Sequence, residues 1–174
     1  MLVLRCTQKL LKRVGPPVAD PPASTAALGD WFAQPVSVGH QRLILLVSAR
    51  SRLPIVMPAR DAKSLPKTFP SALADLLHAL GIPPADVARE VAECREVVVA
   101  ATNSRSILGS VNDFSQMMKW TLPDRPDIDL LATSVWLADS PTKPLGYARP
   151  FEVAFELLTD VPAPRGTFRT SAST

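Results

Sequence analysis

QRLILLVSARSRLPIVMPA spans residues 41–59. Its run at 43–47 is apolar at every position, which predicts a strand buried on both faces and therefore central in a sheet. A second apolar run, 53–57, follows after five residues. A tight connection at 49–52 makes the two runs a β-hairpin. Pro54 and Pro58 cannot donate to a ladder, so the second strand falls at an edge or stops short.

Upstream, LVLRC at 2–6 predicts a short strand. Thr7 stands where a helix N-cap belongs, ahead of QKLLKRV, and its hydroxyl can accept an orphan N–H. Gly15, Pro16 and Pro17 end that helix. Residues 15–27 are Pro-rich and lack periodicity, so they read as a loop. LGDWFAQ at 28–34 reads as one or two helical turns, with Trp31 and Phe32 pinning the loop to the core.

Downstream, Leu73, Leu76, Leu77 and Leu80 predict a helix over 70–81, opened by Pro70 and ended by Gly81. A second helix is expected over 83–95, a β-branched strand over 96–102 and an amphipathic helix over 104–120. Residues 127–141 favour helix over strand, and 149–158 form the last helix. The tail from 161 to 174 is rich in Pro, Ser and Thr and is expected to be flexible.

This order argues for one α+β domain over 1–160. Its sheet, mixed or antiparallel, is expected to hold about four strands with a central hairpin, under a cover of about five helices. A chain of 174 residues suits a single domain. A hydrophobic share of 47% with 20% charged residues fits a globular protein rather than a disordered one. The two cysteines, Cys6 and Cys94, make no disulfide framework. Buried reduced thiols are the favoured reading, with a redox or nucleophilic cysteine as the minor one. Together with the lack of a signal-peptide h-region, this points to a cytoplasmic protein. The longest apolar run, 43–47, is too short to span a bilayer.

Charge is unevenly spread. Residues 1–70 sum to +7 and residues 71–174 to −4. The two halves can neutralise each other in the fold, or the first can face an anionic partner. Arg42, Arg50 and Arg52 around the hairpin, with Trp31, are the candidate interface. Aromatics are few and do not interleave with these cations, so single-strand stacking has no support. Trp31, Trp120 and Trp136 are each either partner anchors or core.

The helix at 104–120 carries the remaining candidates. Ile107, Val111, Phe114 and Met118 form its buried stripe. Asn112 and Gln116 lie together on another face, beside Asp113. A strand-to-helix turn at its start makes Asn103, Ser104, Arg105 and Ser106 a candidate anion site. The competing reading is an ordinary N-cap by Ser104 or Ser106, since the glycine spacing of a phosphate loop is missing. His40 and His78 have no partner at metal-ligand spacing, so neither a metal nor a cofactor is expected. No G-x-S-x-G elbow supports a serine hydrolase.

LRCTQKLLKR at 4–13, LGDW at 28–31, LILLVSARSRLPIVMPA at 43–59, SILGSVNDF at 106–114 and PLGY at 144–147 resemble an uncharacterised bacterial family, of the domain of unknown function 6933 type. The resemblance implies bacterial origin and a single domain, and it carries over no activity, cofactor or site. If the first helix and the 104–120 helix cover one sheet face, Lys9 meets Asp113, which with Asn112 and Gln116 makes a candidate polar site. The favoured function is a non-enzymatic protein-binding module. The alternative is a small enzyme or nucleic-acid-associated protein using the Asn112/Asp113 helix and the basic first half.

Overall fold

The hairpin at 41–59 forms one flank of the sheet. In the computed structural model, which describes residues 1–122 and 127–164, β1 (Leu2–Cys6), β2 (Trp31–Val38), β3 (Gln41–Ser48), β4 (Pro54–Pro58) and β5 (Val97–Ala101) form one mixed sheet in the order β4-β3-β2-β1-β5. β3 and β4 pair antiparallel, from Val47↔Pro54 to Leu43↔Pro58. β4 is an edge, as its prolines require. β3 is interior, one place in from it. β1 pairs parallel with both β2 and β5.

The middle strand is β2, and it corrects the expectation of helical turns at 28–34. Gly29, at φ +76°, turns the chain, and the next residues alternate between the two faces. Trp31 and Ala33 enter one core cluster while Phe32, Val36 and Val38 enter the other. Pro35 argues against a central strand only if its missing N–H faces a neighbour. Here it does not. The carbonyl of Ala33 accepts the N–H of Thr7, and that of Asp30 accepts the N–H of Ala49, so odd positions of β2 face β1. The β1 pairing ends at Cys6↔Ala33, before Pro35 is reached. Gly39, at φ +53°, and His40 then turn β2 into β3.

Six helices complete the described residues: α1 (Gln8–Val14), α2 (Leu65–Ala79), α3 (Pro84–Glu93), α4 (Arg105–Thr121), α5 (Leu130–Ala138) and α6 (Pro150–Thr159). α2 begins earlier than 70. Pro66 occupies its first turn, where no N–H is needed, and Pro70 lies inside it at the loss of one helical bond. Thr7 does not cap α1 with its side chain; its hydroxyl is buried and unpartnered. The expected tail at 161–174 lies largely outside the described residues, from 165 on.

Sheet alternation sorts the helices. Leu2, Leu4, Trp31, Ile44, Leu46 and Ile55 face a core shared with α1, α2, α3 and α6. Trp31 and Phe69 meet there edge to face, with ring centroids 5.0 Å apart. Phe32, Leu43, Leu45, Val47 and Val56 face the other side, which α4 covers with Ile107, Val111, Phe114 and Met118. α5 lies along β4 and touches α2, closing the sheet edge between the two layers.

Candidate functional site

An opening lies where β4, α2 and α5 meet. It is a cleft of about 470 Å³ with Ile55, Val56 and Met57 on its floor. The edge strand there has few free N–H groups. The N–H of Ser48 donates to Leu53, so Pro54, Val56 and Pro58 are the residues whose backbone faces outward. Two of these are prolines, and the third, Val56, donates to the Ser134 hydroxyl of α5 at 2.9 Å. Strand addition is thereby blocked, and the floor side chains are themselves buried, so the accessible apolar surface of the cleft is Leu131.

Its walls combine apolar and polar groups. Leu131, from α5, is 41% exposed, one of five large apolar side chains left exposed among the described residues. α2 contributes Lys67, Thr68, Ser71 and Asp75. This i, i+4 polar line beside the apolar stripe is the sequence signal that could have marked the site. Pro58 and Leu130 also line an adjoining hollow of about 390 Å³ that carries Arg42 and Arg60 opposite Asp127. The end where α2 begins thus carries Arg42, Arg60 and Lys67 together with Asp127 and with Asp61, which pairs with Arg60 at 4.0 Å. Asp75 stands two turns farther along α2, roughly 12 Å away.

The residues singled out in the sequence do not form one site. Lys9 sits exposed on α1, on the opposite side of the sheet from α4, so it cannot meet Asp113. Asn112 accepts from the Gln34 side chain of β2 at 3.1 Å. Gln116 is exposed, and Asp113 turns instead to the loop after α5. Trp31 is fully buried and is a core residue, not an interface anchor. Trp120 is 80% exposed.

The four residues proposed to hold an anion open α4. Ser104 is its N-cap, accepting the N–H of Ile107 at 3.4 Å. The Ser106 hydroxyl accepts from Arg52 at 3.2 Å. Asn103 and Arg105 are exposed. The Ile107 N–H, a helix-terminal donor an anion would use, is thus engaged within the chain.

The arginines are likewise divided. Arg42 is at one end of β3, and Arg50 and Arg52 follow the other; the strand between them is roughly 20 Å long. Arg50 reaches the Ala27 carbonyl and lies over Gly29, where a Cβ would come within 3.0 Å of its Cγ. Arg52 donates to the Ala49 carbonyl, and burial pulls its guanidinium down from the ordinary value. Arg5 pairs with Asp30 at 2.5 Å.

Both cysteines are buried free thiols, and burial pushes each up to about 12. Neither can supply a thiolate near neutral pH. Glu90 is 2% exposed, and desolvation raises its carboxyl even though it accepts the N–H groups of Ala27 and Leu28. It ties α3 to the segment that enters β2 and opens onto no cavity described here. His40 and His78 are exposed. Among the described residues, no three His, Cys, Asp or Glu side chains are placed to hold a metal, and no helix is long and apolar enough to cross a membrane.

A family model described as "Domain of unknown function (DUF6933)" matches residues 3–153. No curated protein and no solved structure matches the chain.

Proposed function

The chain belongs to the DUF6933 family, and we propose that it is a non-enzymatic cytoplasmic protein-binding module of bacteria. The cleft between β4, α2 and α5 carries this reading. Its volume lies in the range of ligand pockets, and it joins an apolar floor to a few convergent polar groups. Its occupant is a short segment of a partner protein. Such a segment lays an aliphatic side chain on Leu131. It places an acidic residue toward Arg42 and Lys67, and a basic one toward Asp75.

Two further observations support parts of this proposal. Thiols held protonated by burial suit a reducing compartment. A nucleic-acid-associated role would need Arg42, Arg50 and Arg52 on one surface, whereas they occupy the two ends of β3.

Selection of a displayed library of short random peptides on the full chain tests the reading. The expected consensus has an acid–aliphatic–base order, and binding is lost in Leu131→Arg and in Asp75→Lys. Selected peptides without that order, or binding that survives both variants, would overturn it.

A further inference from the structure

The sheet has a second edge, β5, and it is guarded differently from β4. The N–H of Leu2 donates to Glu96 and that of Thr102 donates to Cys6, so the even positions of β5 face β1 and the odd ones face outward. The Val99 carbonyl accepts the N–H of Val18 at 2.8 Å, and the Ala101 carbonyl accepts from Arg5 at 3.3 Å. The N–H and carbonyl of Val97 and the N–H of Val99 have no hydrogen-bond partner among the described residues. The strand itself, VVVAA, carries none of the prolines or lysines that usually protect an edge.

Its protection comes from a strap. Residues 16–20 are all exposed, Val18 by 48%, and among the described residues the Val18 N–H makes the hydrogen bond that ties 16–23 to the rest of the fold. Val18 bridges to Ala100 in parallel. Prolines at 16, 17, 21 and 22 keep that contact from lengthening into a strand. Gly15, at φ +135°, and Ser24, bonded to the Met1 carbonyl at 3.3 Å, mark the ends of the strap.

The edge is complementary to itself. When two copies of β5 run antiparallel with Val98 opposite Val98, each Val97 lies opposite Val99 of the other copy. Both residues of such a pair point their N–H and carbonyl outward, so each pair exchanges two hydrogen bonds. β-branched side chains then meet across the join, with Glu96 opposite Ala100 and Arg95 opposite Ala101, so no like charges are opposed. Growth stops at two copies, because the outward positions of β4 are Pro54, Pro58 and a Val56 N–H already given to Ser134.

We propose that β5 is a self-association edge, where a second copy of this chain pairs antiparallel and continues the sheet, and that the Val18 strap competes with it for the Val99 carbonyl.

Val18→Pro removes the N–H that holds the strap, at an exposed position outside the core. Sedimentation equilibrium of the full chain should show this variant dimerising on the order of tenfold or more tightly than the parent, since each copy is spared the loss of one hydrogen bond. Adding Val98→Lys sets like charges face to face across the join and should return the variant to monomer, with circular dichroism and Tm checking that the fold persists. Residue-resolved hydrogen exchange on the parent decides the matter if that variant unfolds. Raising the protein concentration should protect the Val97 and Val99 amides and release that of Val18. The proposal fails if Val18→Pro associates no more tightly than the parent, or if the three amides exchange independently of concentration. A folded Val98→Lys variant that still dimerises would place the contact elsewhere and overturn it, and so would open-ended aggregation in place of a dimer.

Discussion

The hydroxyl of Ser134, in α5, accepts the N–H of Val56 at the middle of edge strand β4, at 2.9 Å. The same hydroxyl donates to the Leu130 carbonyl one turn back. One side chain therefore holds a helix to a sheet edge and satisfies a buried donor. Ser134→Ala leaves that donor unpaired and should lower stability by about 1–3 kcal/mol, measured by urea unfolding. Ser134→Thr, which keeps the hydroxyl, should recover part of the loss.

Leu131 and Trp31 should respond in opposite ways. Leu131 is exposed on the cleft wall, so Leu131→Arg should leave unfolding within about 0.5 kcal/mol of the parent while abolishing peptide capture. Trp31→Ala should cost about 3–5 kcal/mol, because a fully buried ring is lost from the core. Trp31→Phe should cost much less. It keeps the contact with Phe69 and removes an indole N–H that is buried without a partner.

Glu90 and Glu152 act on opposite sides of the ordinary carboxyl value of 4.5. Desolvation raises the folded-state pKa of Glu90, so the folded chain holds that proton more tightly than the unfolded chain does. Its contribution to stability is full below 4.5 and declines as pH rises through the folded value. The Arg149 side chain, 2.6 Å away, lowers Glu152, whose contribution is present above 4.5 and is lost as pH falls through the depressed value. Urea unfolding across pH should show Glu90→Gln flattening the decline above 4.5. That variant should also be less stable overall, since an amide oxygen cannot accept the N–H groups of both Ala27 and Leu28 as the two carboxylate oxygens do.

Cys6 and Cys94 should resist a thiol-reactive dye in the native state at neutral pH and react fully once the chain is unfolded in denaturant. Burial both blocks access and holds each thiol far above its usual range. Fast labelling of either residue under native conditions would contradict the burial described here.

The locally encoded elements were legible in the sequence. The hairpin at 41–59, the stripe of α4, and the extents of α3, α5 and α6 follow from periodicity, prolines and caps read within one window. β2 was not legible, because Pro35 counts against a strand unless one knows that β1 has already ended beside it. Which sheet face a helix covers is equally non-local. A meeting of Lys9 with Asp113 requires a shared face, and the crossover from β1 to β2 puts α1 opposite α4. The cleft escaped notice for the same reason: its lining comes from 55–58, from 61–76 and from 130–134. Asp113 was singled out as a polar candidate, whereas the PLGY stretch of the loop it faces was marked only by the family resemblance.

The pairing of β1 bears on how the chain is made. On a ribosome, β2, β3 and β4 can zip together soon after they emerge, and β1 can join them through Leu4↔Trp31. Its other side stays bare until Val97–Ala101 has been synthesised. Through that interval the nascent sheet ends in LVLRC, an apolar strand with unsatisfied backbone groups that invites pairing with another chain. A nascent chain stalled before β5 is therefore the species a chaperone must shield, and the arrival of β5 is the step that closes that window.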